Sequence, residues 1–118
     1  MMIIVYDSLT GLGEKFAQSL GYQSQPVTKH LSEECILVTR NVGSGKIPRT
    51  TKKFIKKYRE LIAGFVNNGD REKHGKSFCG SSEKIVREYG LKLIKNIEGS
   101  GTVDDIRDVQ LFITSIEK

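Results

Sequence analysis

Residues 8 to 13 read Ser-Leu-Thr-Gly-Leu-Gly and lie between the apolar run "MIIVYD" and an amphipathic stretch marked by Leu12, Phe16, Ala17 and Leu20. Hydroxyls and glycines at such a junction suit anion binding. The amides opening a helix lack internal partners and carry partial positive charge, so a phosphate can dock there if the chain approaches closely. Gly11 and Gly13 permit that approach, and Ser8 and Thr10 can add hydroxyl donors. The competing reading is a plain strand-to-helix turn that needs glycine for its dihedrals alone.

Two other glycine motifs fail on inspection. A dinucleotide fingerprint needs Gly or Ala where Phe16 stands, and Phe16 belongs to the apolar helix face. A P-loop around "GSGK" (residues 43 to 46) needs Gly at Arg40 and Ser or Thr at Ile47. Hydroxyls interleaved with a single strict glycine fit a mononucleotide phosphate instead. No residues of metal chemistry accompany the loop: His30, His74, Cys35 and Cys79 show no paired spacing, so no metal is expected. Neither a nucleophile elbow nor a carboxylate pair stands out, so no catalytic residues of the chain's own are expected.

The elements that must position this loop follow from periodicity. "MIIVYD", "CILVTR", "LIAGFVNN" and "LKLIKNI" are short apolar runs of the kind found in parallel strands covered on both faces. A weaker strand is placed near "QPVTK". Helices are expected after the first loop, over residues 50 to 63, around Ile85, Val86 and Tyr89, and through Val103, Ile106, Val109, Ile113 and Ile116. Thr102 with Asp104 and Asp105 makes a good helix start, and Pro48 suits a first turn. The order β-α-β-β-α-β-α-β-α predicts a doubly wound α/β sandwich of about five strands, with ligands bound outside the carboxyl ends of the strands. Residues 7 to 13, 40 to 47 and 67 to 79 should meet there.

With 118 residues, 37% hydrophobic and 28% charged, the chain is expected to form one globular domain over residues 1–118. It has no apolar stretch long enough to span a bilayer and no signal-like start, so a cytoplasmic location and no membrane partner are expected. Two cysteines give no disulfide framework. The net charge of +5 comes largely from "TKKFIKKYRE", where Lys52, Lys53, Lys56, Lys57 and Arg59 fill positions left free by Phe54, Ile55, Tyr58, Leu61 and Ile62. That is the pattern of a solvated helix face, with binding to something acidic as the alternative.

"VYDSLTGLGEKFAQSLG" resembles the phosphate loop of flavodoxins, and the whole chain resembles the small NrdI flavoproteins that serve class Ib ribonucleotide reductase. "ILVTRNVGSGKIPRTTKKFI" is similar to the family's "LVTP-aromatic-GGG…VP" followed by a helix, and "GDREKHGKSFCGSSEKI" precedes the third helix. The three loops come in the family's order, and the likeness runs from the first strand to the last helix. It implies a flavodoxin-like three-layer α/β/α sandwich with a parallel sheet of strand order 2-1-3-4-5, and FMN as cofactor.

The resemblance also implies roles. Ser8, Thr10 and Gly11 would bind the FMN phosphate, with Leu12 and Gly13 contributing backbone N–H groups. Leu9, Leu12 and Gly13 replace the usual hydroxyl, Asn and Thr, which implies fewer side-chain donors and weaker affinity. Asn41, Val42, Gly43, Ser44 and Gly45 would lie beside the flavin ring, where a rotating peptide can offer its carbonyl to reduced N5. Val42 stands where an aromatic is usual. An ordinary glycine-rich surface loop is the alternative there. In the third loop Gly69, Asp70 and Arg71 match the start of the family's "GNRNFG…FC", His74 sits about where its aromatic would be, and Gly75, Phe78 and Cys79 match its end. His74 would lie against the ring edge or be solvated; Cys79 would pack at the helix start or be a thiol of lowered pKa.

The implied activity is electron transfer by a redox accessory protein rather than a stand-alone enzyme. Reduced FMN passes electrons to dioxygen, and the oxidant (superoxide) reaches a dimanganese site on the small, radical-bearing subunit of the reductase, which then forms its tyrosyl radical. A separate flavin reductant is required. Two other readings stand beside this one. A general flavodoxin electron carrier is disfavoured by the basic balance, since ordinary flavodoxins tend to be acidic, and this chain points to an acidic partner surface. A flavodoxin-like binding module that has lost FMN would act through contacts alone. Nucleic acid is not expected as a partner, because no aromatics interleave with the basic run and helices should cover the sheet.

Overall fold

The computed structural model describes residues 2–42, 45–69 and 80–117. Gly43, Ser44, Asp70, Arg71, His74, Gly75, Phe78 and Cys79, all singled out above, lie outside the described residues. The elements run β1 (Ile3–Tyr6), α1 (Leu12–Ser19), β2 (Ser24–Pro26), β3 (Cys35–Arg40), α2 (Arg49–Tyr58), a short 3₁₀ turn (Arg59–Leu61), β4 (Ile62–Gly69), α3 (Gly80–Tyr89), β5 (Leu93–Glu98) and α4 (Val103–Ile116). The five strands form one parallel sheet in the order β2-β1-β3-β4-β5, as the flavodoxin-like reading requires. Because β2 lies on one side of β1 and β3 on the other, the strand order reverses at β1, and a crevice opens beside it at the carboxyl rim.

Alternation along the central strands sends side chains into two cores. Ile3, Val5, Leu37 and Phe65 pack with Phe54 and Ile55 of α2 and Ile85 of α3. Ile4, Ile36, Val38 and Val66 pack with Phe16, Ala17 and Leu20 of the first helical segment and with Val109 and Ile113 of α4. Each such side chain contributes about 1.5–3 kcal/mol on burial, which is why these runs carry almost no polar residues. Cys35 is fully buried at the start of β3, and burial, with a lesser push from Glu34, raises its thiol pKa to about 12. It is a packing residue.

Three expectations change. The second helix stops at Tyr58 rather than residue 63, because Ile62 is needed opposite Cys35 in the sheet and the 3₁₀ turn delivers it there. Val86, Val103 and Ile116 were placed on apolar helix faces but are 42%, 71% and 40% exposed, since Ile85, Val109 and Ile113 take the buried places. Pro48 stands at the N-cap of α2, one residue before its first turn. Lys52, Lys53, Lys56 and Lys57 are exposed while Phe54 and Ile55 are buried, the arrangement of a solvated face.

Phe16 explains the absent third glycine. It is fully buried, and a Cβ added to Gly101, in the turn before α4, would sit 2.5 Å from its Cδ1. The site helix therefore needs a large ring at this place, and the opposing turn needs a residue with none.

Candidate functional site

A cavity of about 400 Å³ lies at the carboxyl rim, beside the reversal point. The end of β1 and the first loop supply Asp7, Ser8, Leu9 and Thr10, and the start of α1 supplies Leu12 and Gly13. The end of β3 and the residue after it supply Thr39, Arg40 and Asn41, while Asn68, Gly69, Glu98 and Gly99 close the far side. These residues are distant in sequence and meet only because parallel strands all end on one rim.

The first loop is shaped as an open helix start. Gly11 is the N-cap of α1, with φ +88°, and no side chain caps the helix. The Gly11 N–H donates to Ser8 Oγ at 3.0 Å, which closes the turn and leaves the Ser8 hydroxyl proton free to be donated. A Cβ on Gly11 would meet nothing within 4 Å, so the positive φ, not crowding by the protein, is what requires glycine. At Gly13, a Cβ would come 3.4 Å from the Ser8 Cβ, an ordinary contact. Leu9 is 78% exposed at the cavity mouth, and its side chain offers no donor.

Beneath the loop, Asp7 is buried, and its carboxylate accepts from the hydroxyls of Thr50 and Thr51, the latter at 2.6 Å. Arg40 approaches it at 3.7 Å. Thr51 also shares a 2.6 Å bond with Thr39. A bare carboxylate here would repel any anion in the first loop; two hydroxyls and a guanidinium offset it. Two buried donors of lining residues, Arg40 Nε and Asn41 Nδ2, have no hydrogen-bond partner among the described residues. Such groups cost about 1–3 kcal/mol each when left unsatisfied.

The far wall is fixed by amide and hydroxyl side chains. Asn41 Oδ1 accepts from Ser81 N at 3.1 Å, from the Ser81 hydroxyl and from Asn67 Nδ2 at 3.3 Å. Asn67 Nδ2 also reaches Ser81 Oγ and Ser82 Oγ at 2.7 and 2.8 Å, and Ser82 donates on to Asn96. The first turn of α3 is thereby tied to β3, β4 and β5, so Asn41 is a strut as well as a lining residue.

Of the residues expected at the site, the structure brings Ser8, Leu9, Thr10, Leu12, Gly13, Asn41 and Gly69 to this cavity, with Gly11 as the cap between its lining neighbours. It places Val42 elsewhere: Val42 bridges Lys46 in both directions at 2.9 Å and lines a second cavity. Gly45 is buried against Gly80, where a Cβ on Gly80 would come 3.4 Å from the Gly45 Cα. Sequence reasoning placed Asp7, Arg40 and Asn68 in the converging loops without singling them out, and missed Thr39, Thr50, Thr51, Glu98 and Gly99. The available signal was a charged residue ending an apolar strand, as in "IIVYD", and a threonine pair just after Pro48.

A family model described as "NrdI Flavodoxin like" matches residues 4–111. The chain belongs to the NrdI flavodoxin-like family. Protein NrdI of Bacillus licheniformis is 32% identical over 121 aligned positions, covering 100% of this chain and 89% of that protein. Among solved structures, flavodoxin 2 of Bacillus cereus aligns with a TM-score of 0.66 at 18% identity over 96% of this chain and 94% of that one. A Fusobacterium nucleatum flavodoxin bound to flavin mononucleotide aligns with a TM-score of 0.54 at 20% identity over 98% and 96%. At these identities the flavodoxins share the fold with this chain. Among its described residues, no helix is long and apolar enough to cross a membrane.

Proposed function

We propose that this NrdI-family chain binds FMN in the rim cavity and acts as an electron-transfer accessory of class Ib ribonucleotide reductase. The observation that carries the reading is the uncapped start of α1, opened by a left-handed Gly11 and flanked by the Ser8 and Thr10 hydroxyls at the cavity mouth. The residues present fit a phosphate-bearing ligand: amides at Leu12 and Gly13 with no side-chain cap, and a carboxylate below that two hydroxyls and a guanidinium offset. Ser8, Thr10 and the first amides of α1 would hold the phosphate. Asn41, Asn68 and Gly69 would border the rest of the cofactor. Bound there, FMN would supply one- and two-electron chemistry, used in this role to furnish the oxidant for the dimanganese–tyrosyl radical centre of the small reductase subunit. Asp7, masked by its hydroxyls and by Arg40, keeps the floor polar without repelling the phosphate.

Titration of the purified chain with FMN, followed by flavin fluorescence, tests the first part. Saturable quenching is expected, and none at high micromolar FMN would overturn the reading. The reductase role is then tested by assembling the tyrosyl radical in a manganese-loaded class Ib small subunit, with a flavin reductant and dioxygen present. A radical signal that depends on this chain is expected; the same yield without it would remove the reductase role.

A further inference from the structure

A second cavity, of about 730 Å³, adjoins the first and shares Arg40 with it. Among the described residues its walls carry Arg40, Lys46, Arg49, Lys52 and Lys84 against the carboxylate of Glu88. Of these cations only Arg40 has an ion pair among the described residues; Lys46, Arg49, Lys52 and Lys84 have none. This is a concentration of unneutralised positive charge in a concave surface, assembled from the β3–α2 loop, the first turn of α2 and one side of α3.

We propose that this cavity is a docking site for an acidic segment of a partner protein. The lining chemistry selects among anions. Sites for ring-bearing small molecules are mostly apolar and aromatic, whereas here, among the described residues, Val42, Ile47 and Pro48 are the only apolar lining residues and none is aromatic. Single-stranded nucleic acid is held by aromatic stacking platforms, and the described lining offers none. What remains is many point charges spread over three elements, which match carboxylates distributed along a peptide and promote encounter through electrostatic complementarity. The position adds purpose: Arg40 touches both cavities, so a segment seated in the second lies against the wall of the first. The inference does not rest on the flavin reading, and its test needs no flavin.

The test is fluorescence anisotropy of the purified chain with a fluorescein-labelled Glu-rich peptide, beside a Gln-for-Glu version of it. Saturable binding of the acidic peptide is expected, weakening several-fold between ~50 and ~300 mM salt as screening grows. The triple variant Lys46→Gln/Lys52→Gln/Lys84→Gln should lose about tenfold in affinity, the combined size expected of three exposed charge pairs. Lys15→Gln/Lys29→Gln/Lys92→Gln removes the same net charge from other exposed positions and should lose less than about twofold. Equal losses in the two triples, no loss in the first, or no saturable binding by the parent chain would each overturn the proposal. So would tighter binding of a labelled oligo-dT strand than of the acidic peptide, because that would assign the cavity to nucleic acid.

Discussion

Two helices of this chain begin in opposite ways. α4 opens with a complete capping box: Thr102 Oγ1 accepts from Asp105 N at 3.1 Å, and Asp105 Oδ2 accepts from Thr102 N at 2.8 Å. Asp105 also meets Lys95 at 2.9 Å, and Asp108 bonds the same ammonium. At that helix start the Thr102 and Asp105 amides and the Asp105 carboxylate are answered by the protein itself. α1 opens on a glycine, has no side-chain cap, and faces a cavity. Both starts present the same orphan amides and the same positive dipole end. The difference teaches that the fold can close such a terminus and at α1 does not, so the open one is available to an outside anion.

The contrast can be broken from either side. The largest effect is expected from Asp105→Ala, which removes half of the capping box and one partner of Lys95: about 2 kcal/mol of stability in urea denaturation, with FMN affinity within about twofold of the parent. Gly11→Val forces a β-branched residue to φ +88°, at about 1–2 kcal/mol. It should weaken FMN binding at least tenfold by fluorescence titration; unchanged affinity would contradict the placement of the phosphate. Ser8→Ala removes the acceptor of the Gly11 N–H and one ligand donor, and should cost less than about 1 kcal/mol of stability with a several-fold loss of FMN affinity. If Ser8→Ala instead matched Asp105→Ala in stability and left FMN untouched, the two helix starts would both be structural.

The smallest effect is a pH dependence. Burial raises the pKa of the Asp105 carboxyl, but its hydrogen bonds with Lys95 and Thr102 and the Lys95 charge together bring it below the ordinary value. A carboxyl depressed in the folded state contributes stability that is present above its unfolded pKa, near ~3.9, and is lost as pH falls through the folded value. Chemical denaturation below about pH 4 should therefore show a decline that is shallower in Asp105→Asn. Nothing of this kind is expected for Ser8→Ala, whose change involves no titrating group.

Much of the frame was legible because local signals and global packing agree. The Ile- and Val-rich runs became β1, β3 and β4, and Thr102 with Asp105 marked the start of α4. The second helix was read too long because Leu61 and Ile62 continue a helical spacing, and only pairing with β3 reveals that Ile62 belongs to a strand. At the site, the glycines and hydroxyls of the first loop could be read since they act within six residues. The floor could not: Asp7 meets Thr50 and Thr51 across more than forty residues of chain. Arg40 and Asn41 likewise acquire unsatisfied donors only once the rim has formed around them. Side chains whose partners come from one loop leave a trace in sequence, and those whose partners come from the topology do not.

The ring of Phe16 and the bare Cα of Gly101 form a lock and its notch between α1 and the turn that leads into α4. A helix keyed in this way meets the turn after β5 as soon as it rotates or slides. The mouth of the rim cavity is therefore held in register by hydrocarbon packing before any guest arrives, and an enlargement at residue 101 will be felt at residue 11.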